Sequence, residues 1–159
     1  MSFTVLKTLH ILSMVLLFGT GLGSAFYKWM ADRSGKVAHI AVTNRHVVLA
    51  DWFFTTPTVI LQPLSGLWMA YLADLPLSTP WIAASLGLFA LAGACWLPVV
   101  WLQIRMQRIS AEAAAGQCRL PERYWQMARY WFWLGVPAFI AMVLVVALMV
   151  FKNIPGAWS

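Results

Sequence analysis

His10 is the first residue in this chain that could do chemistry. It stands inside Thr8–Tyr27, a stretch with no Asp, Glu, Lys or Arg. A bilayer is crossed by roughly 20 apolar residues in a helix. An ionisable side chain within such a span is costly and faces the bundle interior or a wet cavity. A neutral imidazole there can ligate haem iron or close a hydrogen bond between helices. Helical spacing puts His10, Ser13, Met14, Leu17, Gly21 and Ser24 on one face. Gly19 and Gly23 form a small-xxx-small pair beside it. Such a pair admits a close neighbouring helix, or leaves room for a flat cofactor held by His10.

A second constellation follows in the next charge-free stretch. Asp51, Thr55, Thr58, Gln62, Ser65 and Gly66 share one helical face. Pro57 and Pro63 each remove a backbone donor and leave a carbonyl unpaired. Neighbouring helices or a cavity must then satisfy the backbone. Interhelical hydrogen bonding is one reading. A polar lining for a cofactor, a quinone or a proton path, using Asp51, Thr55 and Gln62, is the other.

His39 and His46 lie in the basic segment ahead of this stretch and read as solvated or headgroup contacts. Antiparallel neighbours put His46 near the membrane face opposite His10, across a core of about 30 Å. One iron bound by both is therefore not expected. Met69 and Met149 are the second-ligand candidates at the depth of His10. Lys7 and Lys152 lie at the same end, where they could neutralise a propionate or snorkel to water. Eight Met, two Cys and three His also suit Cu(I). The methionines are scattered, however, and core packing explains them.

The elements that must position these residues are four charge-free stretches: Thr8–Tyr27, Trp52–Ala73, Leu75–Ile104 and Tyr130–Phe151. They predict an all-α bundle of four transmembrane helices in a single domain, 1–159. The ten-residue alternation of a barrel is missing. Span one is expected from Phe3 to Met30, with a polar turn over Asp32–Lys36. Val37–Ala50 reads as an interfacial lead-in to span two. Leu75–Thr79 is a tight loop, and Gly116–Pro121 breaks the third helix before the fourth. No cleavable leader is expected, because the N-terminus runs straight into span one. Trp29, Trp52, Trp68, Trp81, Trp101, Trp125 and Trp158 fall near the expected interfaces, as aromatic anchors do.

Composition agrees. The 159 residues are 62% hydrophobic and 10% charged, against about a quarter charged in soluble domains. The net charge of +6 is not a nucleic-acid footprint. Lys28, Arg33, Lys36 and Arg45 lie between spans one and two. Arg105, Arg108, Arg119, Arg123 and Arg129 lie between spans three and four. Positive charge collects on the cytoplasmic side. Both termini are therefore expected outside, in the periplasm, and the two longer basic loops in the cytoplasm of a bacterial inner membrane. Contact with anionic lipid follows. Cys95 falls in a span and Cys118 in a cytoplasmic loop, so no disulfide is expected.

Several segments carry a family resemblance. They are LKTLHILS (Leu6–Ser13), LFGTGLGSAF (Leu17–Phe26), ADWFFTTP (Ala50–Pro57), LQPLSG (Leu61–Gly66), GACWLPVVWLQIRM (Gly93–Met106) and LMVFK (Leu148–Lys152). Together they resemble the DUF2269 family of bacterial four-helix integral membrane proteins. More distantly, K-x-x-H followed by glycines in span one is similar to HemJ-type protoporphyrinogen oxidases and CopD-type copper-resistance membrane proteins. The HemJ resemblance implies a functional histidine at His10 and haem b. It also implies a lysine in a later helix, and span three here has none.

These readings converge on one expectation. The chain is expected to bind haem b with His10 as axial ligand, near Met14, Gly19, Gly23, Met69, Met149 and Lys152. It would act in electron transfer or a membrane redox reaction linked to quinone or a porphyrin. The alternatives are a cofactor-free structural or assembly subunit, alone or in a larger membrane complex, and an oligomeric copper or small-solute transporter.

Overall fold

The computed structural model describes residues 2–151. Its elements are α1 (Phe3–Ser34), α2 (Val37–Ala50), a π-helical turn (Asp51–Thr55), α3 (Thr56–Leu72), α4 (Pro80–Ala115) and α5 (Glu122–Phe151). Among the described residues there is no strand. Because α2, the π turn and α3 run on without a break, the chain makes four rods. All four are long and apolar enough to cross a membrane. At about 1.5 Å per residue, the 32 residues of α1 reach about 48 Å, well beyond a hydrocarbon core of about 30 Å. Each rod therefore carries polar turns outside the apolar slab.

Local chemistry sets the ends. Ser2 caps α1 by accepting from the Val5 N–H. Gly35, at φ 65°, ends it in the left-handed conformation that glycine adopts without penalty. Pro80 opens α4 at a position where no N–H is needed. The π turn has a visible cause. Pro57 offers no N–H and its ring would crowd the Phe53 carbonyl. The turn widens, and the Thr56 N–H bonds the Asp51 carbonyl five residues back.

One expectation changes. Asp32–Lys36 is not a turn, because α1 continues to Ser34 and the reversal is confined to residues 35–36. Val37–Ala50 is helical and leads directly into the next span; its Ile40, Asn44 and Val47 are buried, and α2 packs along α4. Rod α1 lies against α2 and α3, while α4 lies against α5 and α2. The core of Ile40, Val99, Leu102, Met106, Ile109, Tyr124 and Trp131 fills the basic end, where α2, α4 and α5 meet.

A buried ammonium ties this end together. Lys28, counted from the sequence among the basic residues between spans one and two, is 1% exposed within α1. Its Nζ donates to Asp32 Oδ2 (3.0 Å), Asn44 Oδ1 (3.0 Å) and Tyr124 Oη (2.9 Å), which uses all three ammonium protons. Tyr124 Oη in turn donates to Asp32 Oδ1 at 2.7 Å. Asn44 Nδ2 donates to Ser110 Oγ and to Tyr124 Oη, both at 3.0 Å. Thus α1, α2, α4 and α5 each contribute to one cluster. The arrangement matters because a buried charge is tolerated only when paired and hydrogen-bonded. Losing one partner of a buried ion pair costs about 3–5 kcal/mol. Lys28→Met should lower unfolding stability in detergent by that order. Lys28→Met combined with Asp32→Leu should lose less than Lys28→Met alone, since no unpaired carboxylate is left. Denaturant titration followed by circular dichroism checks both, and a Lys28→Met protein as stable as the parent would contradict the cluster's role.

Candidate functional site

His10 sits where α1 crosses α3. It is 6% exposed, and its Nδ1 lies 2.7 Å from Ser65 Oγ. The Ser65 hydroxyl has one proton and gives it to the Leu61 carbonyl at 2.6 Å. Ser65 Oγ therefore accepts from His10 Nδ1–H. Gln62 Nε2 donates to the His10 carbonyl (2.8 Å) and to Ser13 Oγ (2.6 Å). Ser13 Oγ donates to the same carbonyl at 2.9 Å. A Cβ at position 66 would lie 3.4 Å from His10 Cε1, at the near edge of ordinary contact, so the ring packs closely on the α3 backbone here.

A separate cavity of about 330 Å³ opens between α1, the π turn, α4 and α5. Its walls are apolar and aromatic, with Phe18, Phe89, Phe132 and Phe139 among them, and glycines 21, 93 and 135 leave the space. Exposed Leu22, Phe132 and Ile140 border it, so it reaches the lipid-facing surface. Toward the basic end it meets Asp51, Thr55, Trp96, Gln103 and Trp131. Asp51, Thr55 and Gln103 are 6%, 4% and 5% exposed. Thr55 and Gln103 each hydrogen-bond the Asp51 side chain. Asp51 Oδ2, Gln103 Oε1, Trp96 Nε1 and Trp131 Nε1 are nonetheless buried without a hydrogen-bond partner of their own among the described residues. Each such atom costs about 1–3 kcal/mol. Four around one cavity is a concentration that calls for a ligand.

The polar face read from the sequence divides in two. Gln62 and Ser65 bond across to α1, whereas Asp51 and Thr55 face the cavity. Thr58 is turned back on its own helix, bonding the Phe54 and Thr55 carbonyls. The proposed haem set is not assembled around this cavity: His10, Met14, Gly19, Gly23, Met69 and Met149 do not line it. Lys152 and Trp158 lie outside the described residues. Nor do Gly19 and Gly23 seat a close helix within the chain, because a Cβ at either would meet nothing within 4 Å. Among the described residues no three His, Cys, Asp or Glu side chains converge.

Sequence reasoning missed Gln103, Trp96 and Trp131. One signal for Gln103 was available. Asn44 faces Ser110, and seven residues further on, in the π turn, and seven back along α4, Asp51 faces Gln103. The pairing is an antiparallel heptad step.

Fold and site together define a small helical integral membrane protein with a lipid-accessible, polar-ended cavity. The model of a family described as "Predicted integral membrane protein (DUF2269)" matches residues 4–153. The chain belongs to that family. None of the curated proteins and none of the solved structures matches it.

The glycines give a differential prediction. Gly19→Ala and Gly23→Ala should leave stability unchanged or raise it by up to about 1 kcal/mol, the helix-propensity gain. Gly66→Val should destabilise, because its γ-methyls enter the space of the His10 ring. Thermal unfolding in detergent checks the order of the three variants.

Proposed function

We propose that the protein takes an elongated, lipid-soluble molecule laterally from the bilayer and holds its polar head at the Asp51 end of the cavity, as a component of a membrane redox reaction. The observation that carries this reading is an apolar cavity of about 330 Å³ ending in four buried polar atoms without a partner among the described residues. Its size falls within the range of small-molecule sites, and such sites pair apolar walls with a few convergent polar groups. Insertion with the basic end in the cytoplasm of a bacterial inner membrane belongs to the same proposal and rests on the positive charge collected there.

Gly93 and Gly135 line the cavity, and a Cβ at either meets nothing within 4 Å. Gly93→Phe should therefore fill the space without disturbing the Lys28 cluster. Solvent extraction of the purified protein followed by mass spectrometry should find a lipid-soluble molecule near one per chain. Gly93→Phe should lose most of it while unfolding like the parent. A parent protein carrying none, or a variant carrying as much, would overturn the reading.

A second reading places haem b at His10, and the Nδ1–H to Ser65 bond favours it. A histidine that ligates a metal usually donates its other N–H to a nearby acceptor, which fixes the ring and its tautomer. Haem would supply one-electron chemistry; His10, oriented by Ser65, would hold its iron. Purified protein should then show a Soret band that His10→Ala abolishes and Ser65→Ala shifts or weakens. A spectrum without the band, or one indifferent to His10→Ala, rejects this second reading and leaves the cavity untouched.

A further inference from the structure

Four features of the cavity narrow the chemistry of its ligand, and the argument rests on the lipid-soluble ligand proposed above. First, among the described residues no Lys, Arg or His lines the cavity. Lys28 stands 5.6 Å from the Trp131 ring centroid, but its three protons are committed to Asp32, Asn44 and Tyr124. An anionic phosphate or carboxylate head would therefore find no counter-charge. Second, two indole N–H groups, Trp96 Nε1 and Trp131 Nε1, are buried donors without an acceptor. They call for a neutral acceptor such as a carbonyl oxygen. Third, among the described residues Asp51 Oδ2 and Gln103 Oε1 are buried acceptors without a donor, and the Thr55 hydroxyl stands beside them on Asp51. They call for a hydroxyl on the same ligand, or on its reduced form. Fourth, the flanking walls carry phenylalanine rings, suited to a flat ring.

We propose that the cavity is a quinone site. A quinone offers carbonyl acceptors to Trp96 and Trp131, and its quinol offers hydroxyl donors to Asp51, Thr55 and Gln103. A flat head between aromatic walls with a tail leaving past Leu22 and Ile140 matches the opening toward lipid. One wall thus serves both oxidation states of one ligand class. A long-chain amine would pair with Asp51 but leave both indole donors unsatisfied, so the donors decide against it.

The test compares three probes that share one alkyl chain: an alkyl benzoquinone, the alkylbenzene and the alkylamine. Each is equilibrated between lipid nanodiscs holding the full chain and protein-free nanodiscs. The quinone should be enriched on the protein about tenfold or more over the alkylbenzene. Trp96→Phe and Trp131→Phe keep ring and volume and remove one N–H each. Each should cut quinone enrichment roughly five- to tenfold, the effect of one hydrogen bond, and leave the alkylbenzene unchanged. Quinone and alkylbenzene enriched equally would overturn the quinone assignment while the apolar cavity stands. The amine enriched above the quinone would also overturn it. No probe enriched at all, with Gly93→Phe indistinguishable from the parent, would sink the cavity reading itself. The comparison of probes on the parent protein decides the matter even where a variant folds poorly.

Discussion

The buried ammonium of Lys28 is the constraint on which the other parts depend. An unpaired charge cannot stay in this environment, so its partners must come to it. They come from three further helices: Asn44 from α2, Tyr124 from α5, and Ser110 of α4 through Asn44. The cluster therefore sets the relative positions of all four rods at the basic end. It also explains why α1 runs to Ser34: Asp32 must stay helical to sit one turn beyond Lys28.

Away from that clasp the rods pair off. Rod α1 goes with α3 through His10, Ser13, Gln62 and Ser65, while α4 goes with α5. Association in lipid has no hydrophobic driving force, and packing and interhelical hydrogen bonds must supply it. Between the pairs, α1 and α5 touch at the Phe18–Phe139 edge contact (5.6 Å), and small residues line the cavity beside it. The π turn below Pro57 then decides which side chains face that space. It presents Asp51 and Thr55 to the cavity and leaves Gln62 and Ser65 for α1.

The four spans were legible because charge-free stretches of bilayer length are a strong signal. His10 and the α2–α3 polar face were legible for the same reason: polar groups stand out against an apolar background. Their division between two tasks was not legible. It depends on the π turn, whose one-residue insertion rotates Asp51 relative to Gln62 and leaves no mark in residue spacing. Lys28 was misplaced because a basic residue near a span end reads as a loop residue. The i, i+4 pairing of Lys28 with Asp32, and Asn44 within an apolar helix face, were the clues to its burial. Trp96 and Trp131 were missed because tryptophan in a membrane protein is ordinarily an anchor, and its N–H becomes informative only when its surroundings are known.

On the reading proposed above, the polar-ended cavity, not the His10 interface, receives the ligand. The most direct measurement is a two-dimensional nitrogen–proton spectrum of the indole N–H groups of the ten tryptophans, assigned by single Trp→Phe variants. The protein is titrated in nanodiscs with a short-chain benzoquinone. The account predicts that the Trp96 and Trp131 signals move downfield and saturate while interfacial signals such as Trp29 and Trp101 stay in place. Saturating quinone that leaves Trp96 and Trp131 unmoved, or that shifts all the indole signals alike, would contradict it.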